Sequence, residues 1–114
     1  PGTRPVVAAA PAGPPLVALA DLARAPVPPE LTLALERHYP PDARARGLGG
    51  RAVVRARIMP DGAARELRVV DESVAGFGEA CRRTLAASRW EPPADRDGRA
   101  VSTHVLYTCT FEVR

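Results

Sequence analysis

The sequence predicts an α+β domain: a three-stranded antiparallel sheet in the order 2-1-3, with helices packed on one face. Apolar and polar residues alternate in three segments, near residues 51–58, 64–71 and 101–113. Between the first two stands Pro60-Asp61-Gly62, where proline presets one dihedral and glycine accepts a positive one, so these segments form a hairpin. Phe77, Ala80, Cys81, Thr84, Leu85 and Ser88 recur at three and four residues, the stripe of a helix that rests on the sheet. A helix joining the second and third strands makes them parallel through a right-handed crossover. The first strand then lies between them, antiparallel to both.

The 114 residues suit one modest domain. Thirteen are proline, and ten of those fall within the first 41 positions. Residues 1–15 alternate Pro with Ala, Gly and Val and are expected to be the end of a semi-extended spacer. Residues 16–37 form an arm with a short helix, and residues 38–114 the domain proper. In the arm, Leu16, Val17, Leu19, Leu22 and Ala23 carry a helix-like stripe that closes at Pro26, equally compatible with a docked extended arm. Pro28-Pro29-Glu30 reads as a helix start, with Leu31, Ala34 and Leu35 inward until Tyr39-Pro40-Pro41 ends it. A further turn over residues 42–46 stops at Gly47, and Gly47-Leu48-Gly49-Gly50 leads into the sheet. There is neither an initiator Met nor a signal-peptide pattern, so the chain is expected to be part of a longer protein.

In the first strand Ala52, Val54, Ala56 and Ile58 share one face, while Arg51, Arg55 and Arg57 share the other. The second strand runs from about Ala64 to Asp71 with Leu67 and Val69 inward. Trp90 and Pro92-Pro93 close the long helix. The last strand is expected to span up to 13 residues, with Val105, Tyr107, Cys109, Phe111 and Val113 on the helix side and His104, Leu106, Thr108, Thr110 and Glu112 on the open side. The topology leaves this longest strand as a free edge, with no proline and only Glu112 as a charge before Arg114. Such an edge templates another chain. Either a partner peptide adds to it as a fourth strand, or the N-terminal arm or a second copy of the domain covers it.

Cys81, on the sheet-facing stripe, and Cys109, on the helix-facing side of the last strand, point into one interface. They form either a disulfide, which implies an oxidising compartment, or a pair of buried thiols. Neither fits a metal-site spacing, and no metal or cofactor is expected. Catalysis is not expected either: His38 and His104 lie in different elements without a patterned nucleophile, and Asp71-Glu72 point apart at a strand end. All 16 basic residues are Arg, yet the net charge is only +3, and the outward strand positions offer no aromatic platform for bases. Nucleic acid is therefore not an expected partner.

Five pieces in register resemble a known family. Tyr39-Pro40-Pro41-Asp42-Ala43-Arg44 and Gly47-Leu48-Gly49-Gly50-Arg51 resemble the opening of TonB C-terminal domains. The strand into Pro60-Asp61-Gly62-Ala63-Ala64-Arg65, with Leu67-Arg68-Val69-Val70, is similar to that family's hairpin. Phe77-Gly78-Glu79-Ala80 resembles its helix start, and Ser88-Arg89-Trp90-Glu91-Pro92 its aromatic-proline exit. The resemblance implies a periplasmic domain of a protein anchored in the inner membrane, which couples a proton-driven motor there to an outer-membrane transporter. The partner segment, the TonB box, would pair with the edge formed by Ser102, Thr103, His104, Val105, Leu106, Tyr107, Thr108, Thr110 and Phe111. Residues just before the Tyr-Pro motif, here Glu36, Arg37 and His38, would add contacts. The Gln-Pro pair of the best-known members is absent, and the cysteines and the 16–35 extension also depart from the pattern. These departures imply a divergent branch, with a structural module of a motility or secretion machine, pairing or dimerising through the same edge, as the alternative function.

Overall fold

The structure, a computed structural model, describes residues 14–113. All of the expected spacer but Pro14 and Pro15 lies outside the described residues. The elements are a 3-10 turn at Leu19–Asp21, α1 (Thr32–His38), α2 (Pro41–Ala45), β1 (Gly50–Ile58), β2 (Ala64–Glu72), α3 (Phe77–Ala86) and β3 (Thr103–Phe111). The sheet order is β2-β1-β3 and both pairings are antiparallel, as the alternation and the crossover require. No helix among the described residues is long and apolar enough to cross a membrane.

β1 is the spine. Ala52, Val54, Ala56 and Ile58 are fully buried on the helix side, where the two alanines let α3 approach. The β1–β2 turn closes as its residues dictate: Asp61 accepts the Ala63 amide at 2.9 Å, and Met59 accepts that of Gly62 at 2.8 Å. Gly62 has a φ of +90°, and a Cβ there would lie 2.1 Å from the Trp90 carbonyl. That close approach lets Trp90 donate its amide to the Gly62 carbonyl, fastening the exit of α3 to the hairpin.

Under α3 the core is aromatic. Phe77 stacks on Phe111 with ring centres 4.4 Å apart, and Tyr39 meets both edge-on at 5.7 and 5.5 Å. The Tyr39 hydroxyl donates to the Leu48 carbonyl. Beside this cluster Cys81 and Cys109 are joined in a disulfide and fully buried. The two readings left open by the periodicity are thereby resolved in favour of the bond. It ties β3, the last strand, to α3.

Several boundaries differ from the sequence expectation, each for a local reason. β3 has nine residues rather than 13. The Val101 amide turns to the Pro93 carbonyl and Ser102 pairs with the arm, while beyond Phe111 the ladder ends because β1 begins at Gly50. α1 starts at Thr32 rather than at the prolines, where the Glu30 carboxylate accepts the Thr32 amide at 2.7 Å. Leu67 is half-buried against the core, but Val69 remains 38% exposed. Val69 lies against Gly78 of α3 at the rim of the sheet, and residues 68–72 of β2 are exposed. Two register shifts and a positive φ at Glu66 bend that outer strand.

Residues 16–25 of the arm are docked and extended, not helical, apart from the single 3-10 turn at Leu19–Asp21. Ser102 donates its amide to the Pro15 carbonyl and accepts that of Val17, both at 2.9 Å, and the Thr103 hydroxyl donates to the Val17 carbonyl at 2.7 Å. Farther on, Arg24 and Ala94 exchange backbone bonds, as do Val27 and Glu91. The arm thus straps the start of β3 and the segment after α3 before it delivers α1 to the sheet.

Closing the loop between Cys81 and Cys109, 28 positions apart, restricts the unfolded chain by about 3–4 kcal/mol on the chain-entropy treatment. Reduction is expected to lower unfolding stability by that amount in a urea titration with and without a phosphine reductant. Coincident curves would show that the bond contributes nothing.

Candidate functional site

Backbone groups along a strand alternate sides, so one fixed pairing sets the phase of the whole edge. Ser102 bonds outward to the arm with both its amide and its carbonyl, and β3 pairs with β1 without any register shift. His104, Leu106, Thr108 and Thr110 therefore present amide and carbonyl away from β1. Thr103, Val105, Tyr107, Cys109 and Phe111 turn theirs towards it. β1 agrees: Arg51 and Met59 bond on the β2 side, which leaves its even-numbered residues to bond with β3. Among the described residues nothing pairs with the β3 edge beyond Ser102.

The expected site residues therefore divide. Ser102 and Thr103 are fully buried and already engaged by the arm. The arm covers the start of the edge, and among the described residues the rest of it is unpaired. Of the three residues before the Tyr-Pro motif, Glu36 lies beside the open edge. Arg37 is exposed and lines no part of the groove there, and His38 turns away towards α3. Its Nδ1 lies 2.9 Å from the Thr84 hydroxyl and 3.0 Å from the Ala34 carbonyl, which makes it a helix-packing residue.

Along the open part of the edge runs a groove of about 350 Å³. α1 and the residues leading into it form one wall, through Leu31, Leu35 and Tyr39, with Glu30 and Glu36 also lining it. Tyr107, Thr108, Thr110, Phe111 and Glu112 form the other. Of the α1 wall only Glu36 was among the expected site residues, and its apolar part was missed. The signal for that part was the inward pair Leu31 and Leu35, which reads equally well as ordinary core.

The opposite, open face of the sheet is held by polar contacts. Arg57 donates to the Ser102 hydroxyl at 2.8 Å and to the Pro14 carbonyl at 3.0 Å, and lies 3.3 Å from Glu66, so it pins the arm to the sheet. Arg51 pairs with Asp71 at 3.7 Å. The Arg55 guanidinium donates to Nδ1 of His104 at 2.9 Å, which requires that nitrogen to be unprotonated. Burial, and then the Arg55 charge, hold the His104 pKa below its ordinary value of 6.5. No group of three or more metal-ligating side chains occurs among the described residues.

A family profile for the Gram-negative bacterial TonB protein C-terminal region aligns with residues 36–113. The chain belongs to the TonB C-terminal domain family. The solution structure of the Pseudomonas aeruginosa TonB C-terminal domain superposes with a TM-score of 0.61 at 25% identity, covering 86% of this chain and 94% of that one. The Helicobacter pylori TonB C-terminal domain gives 0.48 at 19% identity, over 74% and 78%. No curated protein matches the chain. TonB C-terminal domains are energy-transducing interaction domains that meet outer-membrane transporters, and they are periplasmic parts of proteins anchored in the inner membrane.

His104 yields a pH prediction for this domain. Its folded pKa lies below the unfolded value, so as pH falls through about 6.5 the unfolded chain takes up the proton first and stability drops. Thermal melts between pH 7.5 and 5.5 are expected to show that loss in the native protein and a smaller one in His104→Gln. Equal losses in both would remove His104 as the cause.

Proposed function

We propose that this domain captures an extended segment of an outer-membrane transporter as a fourth strand on β3, and passes tension to it from a proton-driven motor in the inner membrane. The carrying observation is the run of outward amides and carbonyls at His104, Leu106, Thr108 and Thr110, beside a groove shaped by α1. An edge without proline, bulge or inward charge is one that proteins ordinarily protect. Strand addition supplies affinity through the backbone, and the groove receives alternate side chains. Each inter-strand bond contributes about 0.5–1.5 kcal/mol net. The contact is therefore reversible.

Force transmission follows from direction. A pull along a paired strand loads its hydrogen bonds together rather than one after another. Within the domain the load on β3 passes to β1 through a continuous ladder, from Gly50 opposite Phe111 to Ile58 opposite Thr103. It passes to α3 through the Cys81–Cys109 bond. The last strand is thus fastened on both of its inner sides, which suits an element whose outer side takes the strain.

Titrating the labelled domain with a transporter-derived extended peptide is expected to shift the amide signals of His104, Leu106, Thr108 and Thr110 above all others. Thr108→Pro deletes an outward amide that the fold does not use. It is expected to keep the fold while weakening the peptide about tenfold or more. Unchanged affinity in a folded Thr108→Pro domain would exclude pairing along this edge. Edge shifts that track protein concentration without peptide, with a doubled mass by light scattering, would instead make the edge a self-pairing surface.

A further inference from the structure

The chain carries 16 Arg and a net charge of +3, yet the groove beside β3 has the opposite character. Glu30, Glu36 and Glu112 line it, and no Arg does. The nearby Arg44 sits behind the α1 wall, its guanidinium over the Tyr39 ring, 4.7 Å from the centre, and donating to the Glu36 carbonyl at 2.7 Å. Arg46 pairs with Asp42. Hydrogen bonds from Thr32 hold the Glu30 carboxyl in its charged form, below its usual range. The Tyr107 hydroxyl, on the facing wall, is pushed above its usual range by burial first and by the Glu30 charge second. Glu30 and Tyr107 thus face the same groove from its two walls.

The deep part of both walls, the floor of the groove, is apolar: Leu31, Leu35, Tyr39 and Phe111 are all buried. A strand added about 4.8 Å outside β3 sends every second side chain to the helix side, into this space. A side chain that lays an apolar stem on the leucines and ends in a cation satisfies both the floor and the carboxylates, as Lys and Arg do. A carboxylate in the same place would be repelled by Glu30 and Glu112.

We propose that the segment this edge captures carries a Lys or Arg on its groove side, read by Glu30 and Glu112. The inference rests on the strand-addition reading above and adds the charge of the partner to it.

Three extended peptides of equal length and apolar content separate the possibilities. They differ only in having Lys, Gln or Glu at two adjacent positions, so that one falls on the groove side in either phase. Affinity and edge-amide shifts are read by NMR titration at low and high salt. The Lys peptide is expected to bind about tenfold tighter than the Glu peptide at low salt. The difference should shrink as salt screens it and flatten in Glu30→Gln/Glu112→Gln. Glu112→Gln alone, which leaves the Glu30 contact to Thr32 intact, is expected to lose part of the preference. Equal affinities, or a preference for Glu, with the edge amides still shifting would overturn the charge inference and leave strand addition standing. Failure of all three peptides to shift the edge amides would overturn strand addition, and this inference with it.

Discussion

The unbroken pairing of β1 with β3 governs the rest of the molecule. It fixes which backbone groups of the last strand are consumed inside the sheet and which face out. It also sets where Cys109 and Phe111 enter the core, and so where α3 and Tyr39 sit. With the β1–β2 ladder bent by register shifts, β1–β3 is the straighter half of the sheet. A slip of one residue would turn every outward amide of β3 inward and expose its apolar side chains. The disulfide and the stacked Phe77–Phe111 pair oppose such a slip, since both join β3 to α3 at defined positions.

The arm sets the limits of the site. By bonding Ser102 and pinning itself through Arg57, it uses the first outward position of the edge, and among the described residues the next four are left unpaired. Because it then runs on through α1, the same segment both shortens the edge and builds the wall that flanks it. Ordering this arm carries an entropic cost. Its backbone bonds to Ser102, Ala94 and Glu91 oppose that cost, and the burial of Leu31 and Leu35 adds to them.

The electrostatics divide by face. On the open side of the sheet arginines are largely tied into the fold, by Asp71, Glu66, His104 and the arm itself. On the helix side the groove is lined by carboxylates. Composition alone, with its single basic residue type and small net charge, averages over this division. Partner selection depends on the local field at the edge, not on the net charge.

Local pattern was enough for the elements and for much of the fold. Alternation at Ala52, Val54, Ala56 and Ile58, the Pro60-Asp61-Gly62 turn and the Phe77-to-Leu85 stripe are short-range signals, and short-range physics produces them. Chain order then determined the 2-1-3 sheet, because a crossover helix leaves few topologies. The facing of Cys81 and Cys109 followed from the same periodicities, although whether they bond did not. What only the tertiary structure decided concerns segments far apart in sequence. Alternation tells which side chains of β3 share a face, but the direction of its amides depends on which neighbour takes which hydrogen bond. That was settled by β1 and by Ser102 meeting Pro15 and Val17. The groove likewise exists only because Leu31, Leu35 and Tyr39 are carried beside Tyr107 and Phe111, a juxtaposition that no local propensity encodes.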